Sequence, residues 1–235
     1  MAIAVKEKEE VLVEEKKETK EDVIIIKGGR IYAFFKRVFD IASSLCVIIV
    51  FSWLLLILAL LVKLTSKGPV LFKDKRVGKN MKQIKVYKFR TMYIDAESNM
   101  DKYLTPEQKE MWKKEGKIDN DPRITKIGKF LRKTSLDELP QLFNILFGSL
   151  SVVGPRPVKI NELELNYTDH QRIMLARVKP GLTGYWQVYG RSNVDYASGE
   201  RQKEELAYLP KRGFWYDLKL IFLTIPAVLC KRGAK

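Results

Sequence analysis

One short segment gathers the residue types that group-transfer chemistry needs: Thr134-Ser135-Leu136-Asp137-Glu138-Leu139-Pro140-Gln141. Ser135 followed three residues later by Glu138 is a capping-box pattern, which predicts a helix opening at Ser135 with both carboxylates in its first turn. There they are held as anions by about 0.3–1 kcal/mol each. An ionised, positioned carboxylate suits a nucleophile or a magnesium ligand. Adjacent residues on a helical turn diverge by about 100°, which fits two separate tasks better than one shared proton. Ordinary helices open with the same pattern. A helix beginning instead at Pro140 would cancel the capping box.

Around this pair the sequence sets cations beside turns. Lys88 and Arg90 lie two apart on an alternating stretch, Ile84 to Arg90, so a strand there turns both to one side. Arg132 precedes the carboxylates, Arg156 is held between Pro155 and Pro157, and Arg191 follows Gly190. A guanidinium fork matches phosphate oxygens, and flanking prolines fix the backbone that presents it. Together these residues predict a diphosphate site. Asp119-Asn120-Asp121 has the Asp-x-Asp form that holds a metal and a nucleotide diphosphate elsewhere, but it reads more simply as an exposed acidic turn. No phosphate-binding P-loop, dinucleotide fingerprint or metalloprotease motif is present.

Composition narrows the remaining chemistry. The single histidine, His170, excludes His-cluster metal sites, and Cys46 and Cys230 form neither a disulfide framework nor a Cys-x-x-Cys site. Acid, base and nucleophile must come from carboxylates, Lys, Tyr or Ser. With 43 Lys and Arg against 28 Asp and Glu, the net charge of +15 favours a polyanionic partner. An apolar run selects a membrane and phosphorylated substrates over nucleic acid.

That run, Ile41 to Val62, is uncharged. As one helix it would measure about 33 Å, near the thickness of a bilayer's hydrocarbon core. Basic residues flank both ends: Arg30, Lys36 and Arg37 before it, Lys63 and Lys67 after it. They favour entry and exit by the same face, a re-entrant course with spanning as the alternative. No Pro or Gly interrupts the run, and Ser43, Ser44 and Ser52 do not force a bend. The predicted organisation is a charged mobile tail over 1–29, a membrane-embedded helix over 30–66 and a cytoplasmic catalytic domain over 67–235. Within the last, strands are expected before Met92, exposed helices or loops over 93–120, and a helical stretch from Ile124 to Ser151 punctuated at Gly128 and Gly148. The C-terminal run from Phe214, interrupted by Pro226, is expected to lie in the membrane interface. The class is α+β, mostly α, with a small strand region and interfacial amphipathic helices.

In order along the chain, these segments resemble the bacterial sugar transferase family, the monotopic phosphoglycosyl transferases, in its minimal catalytic form. The resemblance rests on Lys36-Arg37-x-x-Asp40, Gly68-Pro69-Val70-Leu71-Phe72, Lys88-Phe89-Arg90-Thr91-Met92 and Asp121-Pro122-Arg123-Ile124-Thr125. Arg132 through Gln141, Val153-Gly154-Pro155-Arg156-Pro157 and Pro180-Gly181-Leu182-Thr183-Gly184 complete it. It implies transfer of a sugar-1-phosphate from a UDP-sugar to polyprenyl phosphate with release of UMP. Asp137 would be the nucleophile and Glu138 the Mg2+ ligand, with Lys88, Arg132, Arg156 and Arg191 binding phosphate. Arg90 is a further candidate for that role, with a structural role as its alternative. It also implies the cytoplasmic face of the bacterial inner membrane, lipid contact, and compatibility with a homo-oligomer. The family's membrane helix is broken at a Ser-Pro pair, whereas here Trp53 follows Ser52. A conventional glycosyltransferase releasing UDP, or a non-catalytic membrane scaffold, remains the alternative.

Overall fold

The computed structural model describes residues 25–115, 118–190, 196 and 198–229. Most of the expected tail, Arg191 and Cys230 fall outside them. Two helices come first, α1 (Arg30–Val50) and α2 (Ser52–Thr65), followed by an antiparallel hairpin of β1 (Leu71–Val77) and β2 (Gln83–Phe89). Two exposed helices, α3 (Met100–Tyr103) and α4 (Pro106–Glu115), occupy the polar 93–120 region. Then come α5 (Lys126–Thr134), a 3-10 turn over Leu136–Glu138, α6 (Gln141–Phe147) and β3 (Ser151–Val153). The chain closes with α7 (Ile160–Asn166), α8 (Asp169–Ala176), β4 (Gly181–Thr183), α9 (Glu200–Leu206) and α10 (Phe214–Leu229). β3 and β4 pair in parallel, so among the described residues the fold is mostly helical around two two-stranded sheets.

The apolar run predicted as one helix is two, bent by 67° at Phe51. No Pro or Gly makes the break. Phe51 leaves helical geometry (φ −103°, ψ 16°), and the Ser52 hydroxyl donates to the Ile49 carbonyl at 2.9 Å. Such a bond adds to the contact that the Ile49 carbonyl receives from the Phe51 amide, at the point where the ladder is interrupted. No single described helix is long and apolar enough to cross a membrane, though the bent pair together meets that test.

Only one narrow stripe of α1 is buried, and it is polar. Asp40, 2% exposed, accepts from the Ser151 hydroxyl (3.0 Å) and the Val152 amide (2.9 Å) at β3. One turn earlier, Arg37 donates to the carbonyls of Ile145 (2.6 Å) and Leu146 (2.8 Å) in the last turn of α6, where the helical ladder runs out of donors. Lys36 pairs at 2.6 Å with Asp217 of α10, a carboxylate that also accepts from Tyr32 and Tyr208. The remaining faces of both helices expose large apolar side chains, among them Phe34, Ile49, Trp53, Leu56 and Leu64.

Among the described residues the core lies in three clusters. One packs Val153, Leu163, Tyr208 and Leu220 between β3 and helices α7 and α10. A second joins Leu58 and Val62 of α2 to Phe89 and Leu131. The third sets Val86 against Leu142, Ile145 and Leu150. Helix α10 runs through Pro226 without ending there. Its Leu220 is fully buried, while Phe214, Trp215, Phe222 and Ile225 are exposed, so it serves the core with one face and leaves another apolar face open.

Candidate active site

The two carboxylates stand on a turn between helices, not in the first turn of one. Ser135 ends α5 in the left-handed conformation (φ 58°), and its side chain caps nothing. Leu136–Glu138 form the 3-10 turn, and Pro140 is the N-cap of α6. The capping box is therefore absent. The physical reason is Pro140: without an N–H it cannot continue the ladder of a helix begun at Ser135, whereas it costs nothing at a helix start. The predicted helix over 124–151 divides here and ends with β3. Gly148 does punctuate it, closing α6 with φ 87°. Gly128 lies inside α5, where an added Cβ would come within 2.0 Å of the Thr91 carbonyl oxygen.

Three motifs converge to hold this turn. In Lys88-Phe89-Arg90-Thr91 each side chain has a different partner. Lys88 Nζ lies 2.9 Å from Glu138 Oε1, and Phe89 enters the core beside α2. Thr91 Oγ1 accepts from Arg132 Nε at 2.9 Å, and the Thr91 carbonyl accepts from the Thr125 amide at 2.9 Å. Thr125 in turn caps α5, its hydroxyl accepting from the Gly128 amide at 3.0 Å. Asp121 and Arg123 form a buried bidentate pair, with contacts of 2.7–3.1 Å, just before that cap. Asp121 thus belongs to the scaffold and is not free to take a metal; Asp119 is exposed. On the far side, the buried Asn144 side chain accepts from the Tyr87 amide (2.8 Å) and donates to the Lys85 carbonyl (2.7 Å), seating α6 on the free edge of β2.

The electrostatics follow from this packing. Partial burial and the neighbouring Glu138 charge push the Asp137 carboxyl up to about 6, although Lys88 and Arg132 act in the opposite direction. Glu138 is more open, its side chain 40% exposed. Its Oε2 accepts no protein hydrogen bond among the described residues. Those residues hold no cluster of three or more metal-ligating side chains. Two adjacent carboxylates do fit Mg2+, which commonly binds one or two carboxylates and completes its shell with water and substrate phosphate.

The other expected phosphate ligands separate. Lys88 and Arg90 part company once β2 ends at Phe89. The Arg90 guanidinium is buried at the end of α2, donating to the carbonyls of Ser66 (2.7 Å) and Lys67 (2.9 Å) and to the Ser66 hydroxyl (2.9 Å). In this position it caps a helix C-terminus. Arg156 pairs with Glu162 at 3.0 Å, within a network that includes Arg201, Glu205, Tyr167 and Tyr196. The neighbouring Pro157 carbonyl accepts from Arg76 at 3.0 Å. Arg76 is opposite Ile84 and Phe72 is opposite Lys88, so Arg156 sits near the far end of the hairpin, about 13 Å of strand away. The structure thus brings together Asp137, Glu138, Lys88 and Arg132. Sequence reasoning missed Thr91, Thr125 and Asn144 as positioning groups; only their place inside or beside dense motifs marked them. His170 lies in α8 and the exposed Cys46 in α1.

Comparison with known proteins identifies the family. The family model described as bacterial sugar transferase matches residues 31–231. The exopolysaccharide production protein ExoY of Rhizobium meliloti (strain 1021) is 42% identical over 201 residues, 85% of this chain and 87% of ExoY. The undecaprenyl-phosphate galactose phosphotransferase of Salmonella typhimurium is 42% identical over 203 residues, 86% of this chain but 42% of that protein. The UDP-glucose:undecaprenyl-phosphate glucose-1-phosphate transferase of Klebsiella pneumoniae is 46% identical over 195 residues, 81% of this chain and 39% of its own length. The chain thus spans most of ExoY and about four-tenths of the larger relatives. By the extent of these matches, the chain belongs to the bacterial sugar transferase family.

Proposed function

We propose that this protein transfers a sugar-1-phosphate from a UDP-sugar to polyprenyl (undecaprenyl) phosphate, releasing UMP and starting the synthesis of a membrane-linked glycan such as an exopolysaccharide. The observation that carries the reading is the Asp137–Glu138 pair on a rigid turn, faced by Lys88 and Arg132, in a chain related to enzymes named for this transfer.

In this reading an Asp137 carboxylate oxygen attacks the β-phosphorus of the donor. The bond from that phosphorus to the bridging oxygen breaks, and UMP leaves with the electron pair. The sugar phosphate stays on Asp137 as an acyl phosphate. An oxygen of the polyprenyl phosphate then attacks the same phosphorus, the acyl–phosphate bond breaks, and the Asp137 carboxylate is restored. Two like unit charges 4 Å apart repel by about 4 kcal/mol at an effective dielectric near 20, so an anionic nucleophile needs compensation before it can meet a diphosphate. Lys88 and Arg132 supply two of the required positive charges. Mg2+, held by Glu138, would neutralise further charge on the diphosphate and the departing UMP.

The acceptor's phosphate lies at the headgroup level of a membrane, which gives the bent α1–α2 pair its purpose. Its exposed apolar faces suit insertion into one leaflet from the cytoplasmic side of the inner membrane, with the open face of α10 resting in the interface. The polar stripe of Arg37 and Asp40 would tie that re-entrant hairpin to the catalytic body.

The test is nucleotide release by detergent-purified protein given Mg2+, polyprenyl phosphate and a panel of UDP-sugars, alongside Asp137→Asn. UMP release from one donor, lost in the variant, supports the proposal and names the sugar. Release of UDP would make the protein a conventional glycosyltransferase, and no release from a broad panel would leave a scaffold.

A further inference from the structure

At the end of α6 opposite the carboxylates, a cluster of side chains gathers positive charge that the proposed transfer does not use. Gly148 closes the helix in the left-handed conformation. A side chain there would meet Arg37 Nη2 at 3.1 Å and Lys179 Nζ at 3.3 Å. Both cationic nitrogens therefore lie within reach of one point, close enough to repel each other. Lys79, exposed on the turn between β1 and β2, adds a third charge to the field at Lys179.

Among the described residues the carboxylate acting on Lys179 is Asp40, so the three cations outnumber it. The Arg37 guanidinium is occupied by two α6 carbonyls, which are neutral. Asp40 offsets part of the charge, but its Oδ1 is turned to the Ser151 hydroxyl and the Val152 amide and makes no ion pair with Lys179. Lys179 is only partly exposed, and its ammonium has no hydrogen-bond acceptor among the described residues. Burial and the two neighbouring cations hold it below the usual lysine range. Packing an ammonium against like charges without a partner is unfavourable unless an anion completes the site.

The surroundings indicate which anion. Phe147, next to Gly148, is 73% exposed, and Val38 and Ile41 beside Arg37 are exposed on α1. A cationic cluster bordered by exposed apolar side chains matches a phosphate carrying hydrocarbon, whereas a free phosphate would use only the charged half. We propose that Lys179, Arg37 and Lys79 bind the phosphate of an anionic lipid headgroup, with its acyl chains against Val38, Ile41 and Phe147. The inference rests on the reading of α1–α2 as a membrane hairpin and is independent of the transfer chemistry.

The experiment is thermal unfolding of the full chain in a neutral detergent, titrated with phosphatidylglycerol, phosphatidylcholine or inorganic phosphate. The wild type should gain several degrees with phosphatidylglycerol and little with equal amounts of the other two. Lys179→Met should unfold, lipid-free, no earlier than the wild type, because an unpaired charge has gone, and should lose the phosphatidylglycerol shift. Lys179→Arg should keep the shift, as should Lys203→Met, which removes an exposed charge elsewhere. A full shift in Lys179→Met, or an equal wild-type shift with inorganic phosphate, overturns the proposal. Should Lys179→Met fail to fold, Lys79→Met decides: a reduced shift supports the site and an unchanged one refutes it. Carbonate extraction of the wild type from cell membranes tests the hairpin separately, so failure of that reading is distinguishable from failure of this one.

Discussion

Replacing Asp40 tests whether the polar stripe of α1 holds the hairpin to the body of the protein. Its carboxylate, 2% exposed, accepts two hydrogen bonds on Oδ1, from the Ser151 hydroxyl and the Val152 amide. Hydrogen bonds to a charged group contribute about 1.5–3 kcal/mol each, and a buried donor left without a partner costs about 1–3 kcal/mol. These effects overlap, because one truncation causes both. Asp40→Ala should therefore cost about 3–5 kcal/mol, two charge-assisted bonds less their overlap with the unpaired donors. Asp40→Asn retains an acceptor oxygen and loses only the charge assistance, about 1–2 kcal/mol. For a chain of this size, a loss of about 4 kcal/mol lowers Tm by roughly 8–16 °C. The assay is thermal unfolding by far-ultraviolet circular dichroism in one detergent at one scan rate. Ala should fall well below Asn, and Asn modestly below wild type. If the two variants lie within about 0.5 kcal/mol of each other, or both within about 1 kcal/mol of wild type, the carboxylate is not the tether.

Asp137→Asn should be more stable than wild type at pH 7 even though it is expected to be inactive. The folded carboxyl is raised from 3.8 to about 6, so ionising it opposes folding, and stability falls as pH rises between those values and is level above them. The full shift corresponds to about 3 kcal/mol, and solvent screening at this partly exposed group reduces the expected gain to about 1–1.5 kcal/mol. A Tm at pH 7 unchanged or lowered, measured without Mg2+, contradicts this. Asp121 has the opposite sign. Burial raises its carboxyl, but hydrogen bonds and charge from Arg123 outweigh that and hold it below the usual range. Its stabilising contribution is present above the unfolded value near 4 and is lost as pH falls through the lower folded value. Asp121→Asn should cost about 3–5 kcal/mol at pH 7 and flatten the acid limb of a stability–pH curve. Gly128→Ala should destabilise by more than about 2 kcal/mol, because its Cβ would come within 2.0 Å of a backbone oxygen that cannot swing away. Denaturant unfolding that shows a neutral or stabilising effect would mean α5 can shift from the Thr91 backbone at little cost.

Much of this protein is legible in its sequence. Alternation over residues 84–90 marked β2, because side chains of a strand pass to opposite faces at every step. The polar 93–120 region carries exposed helices, and the C-terminal run forms a helix with an open apolar face. Asp137 and Glu138 stood out by residue type and setting, and charge and apolar patterning suggested a polyanionic substrate at a membrane. Local sequence misjudged the turn that carries the carboxylates. A capping-box pattern and Pro140 compete within six residues, and the proline prevails by lacking the N–H that the longer helix requires. Only the tertiary structure could break the apolar run at Phe51, where residue types give no cue and Ser52 with the buried polar stripe supports the bend. It alone divided the cations, leaving Lys88 and Arg132 at the carboxylates, turning Arg90 to a helix end and pairing Arg156 with Glu162. Sequence determines which residue types are available and how each segment alternates. Which partner a long charged side chain reaches depends on groups tens of residues away, and only packing brings those groups together.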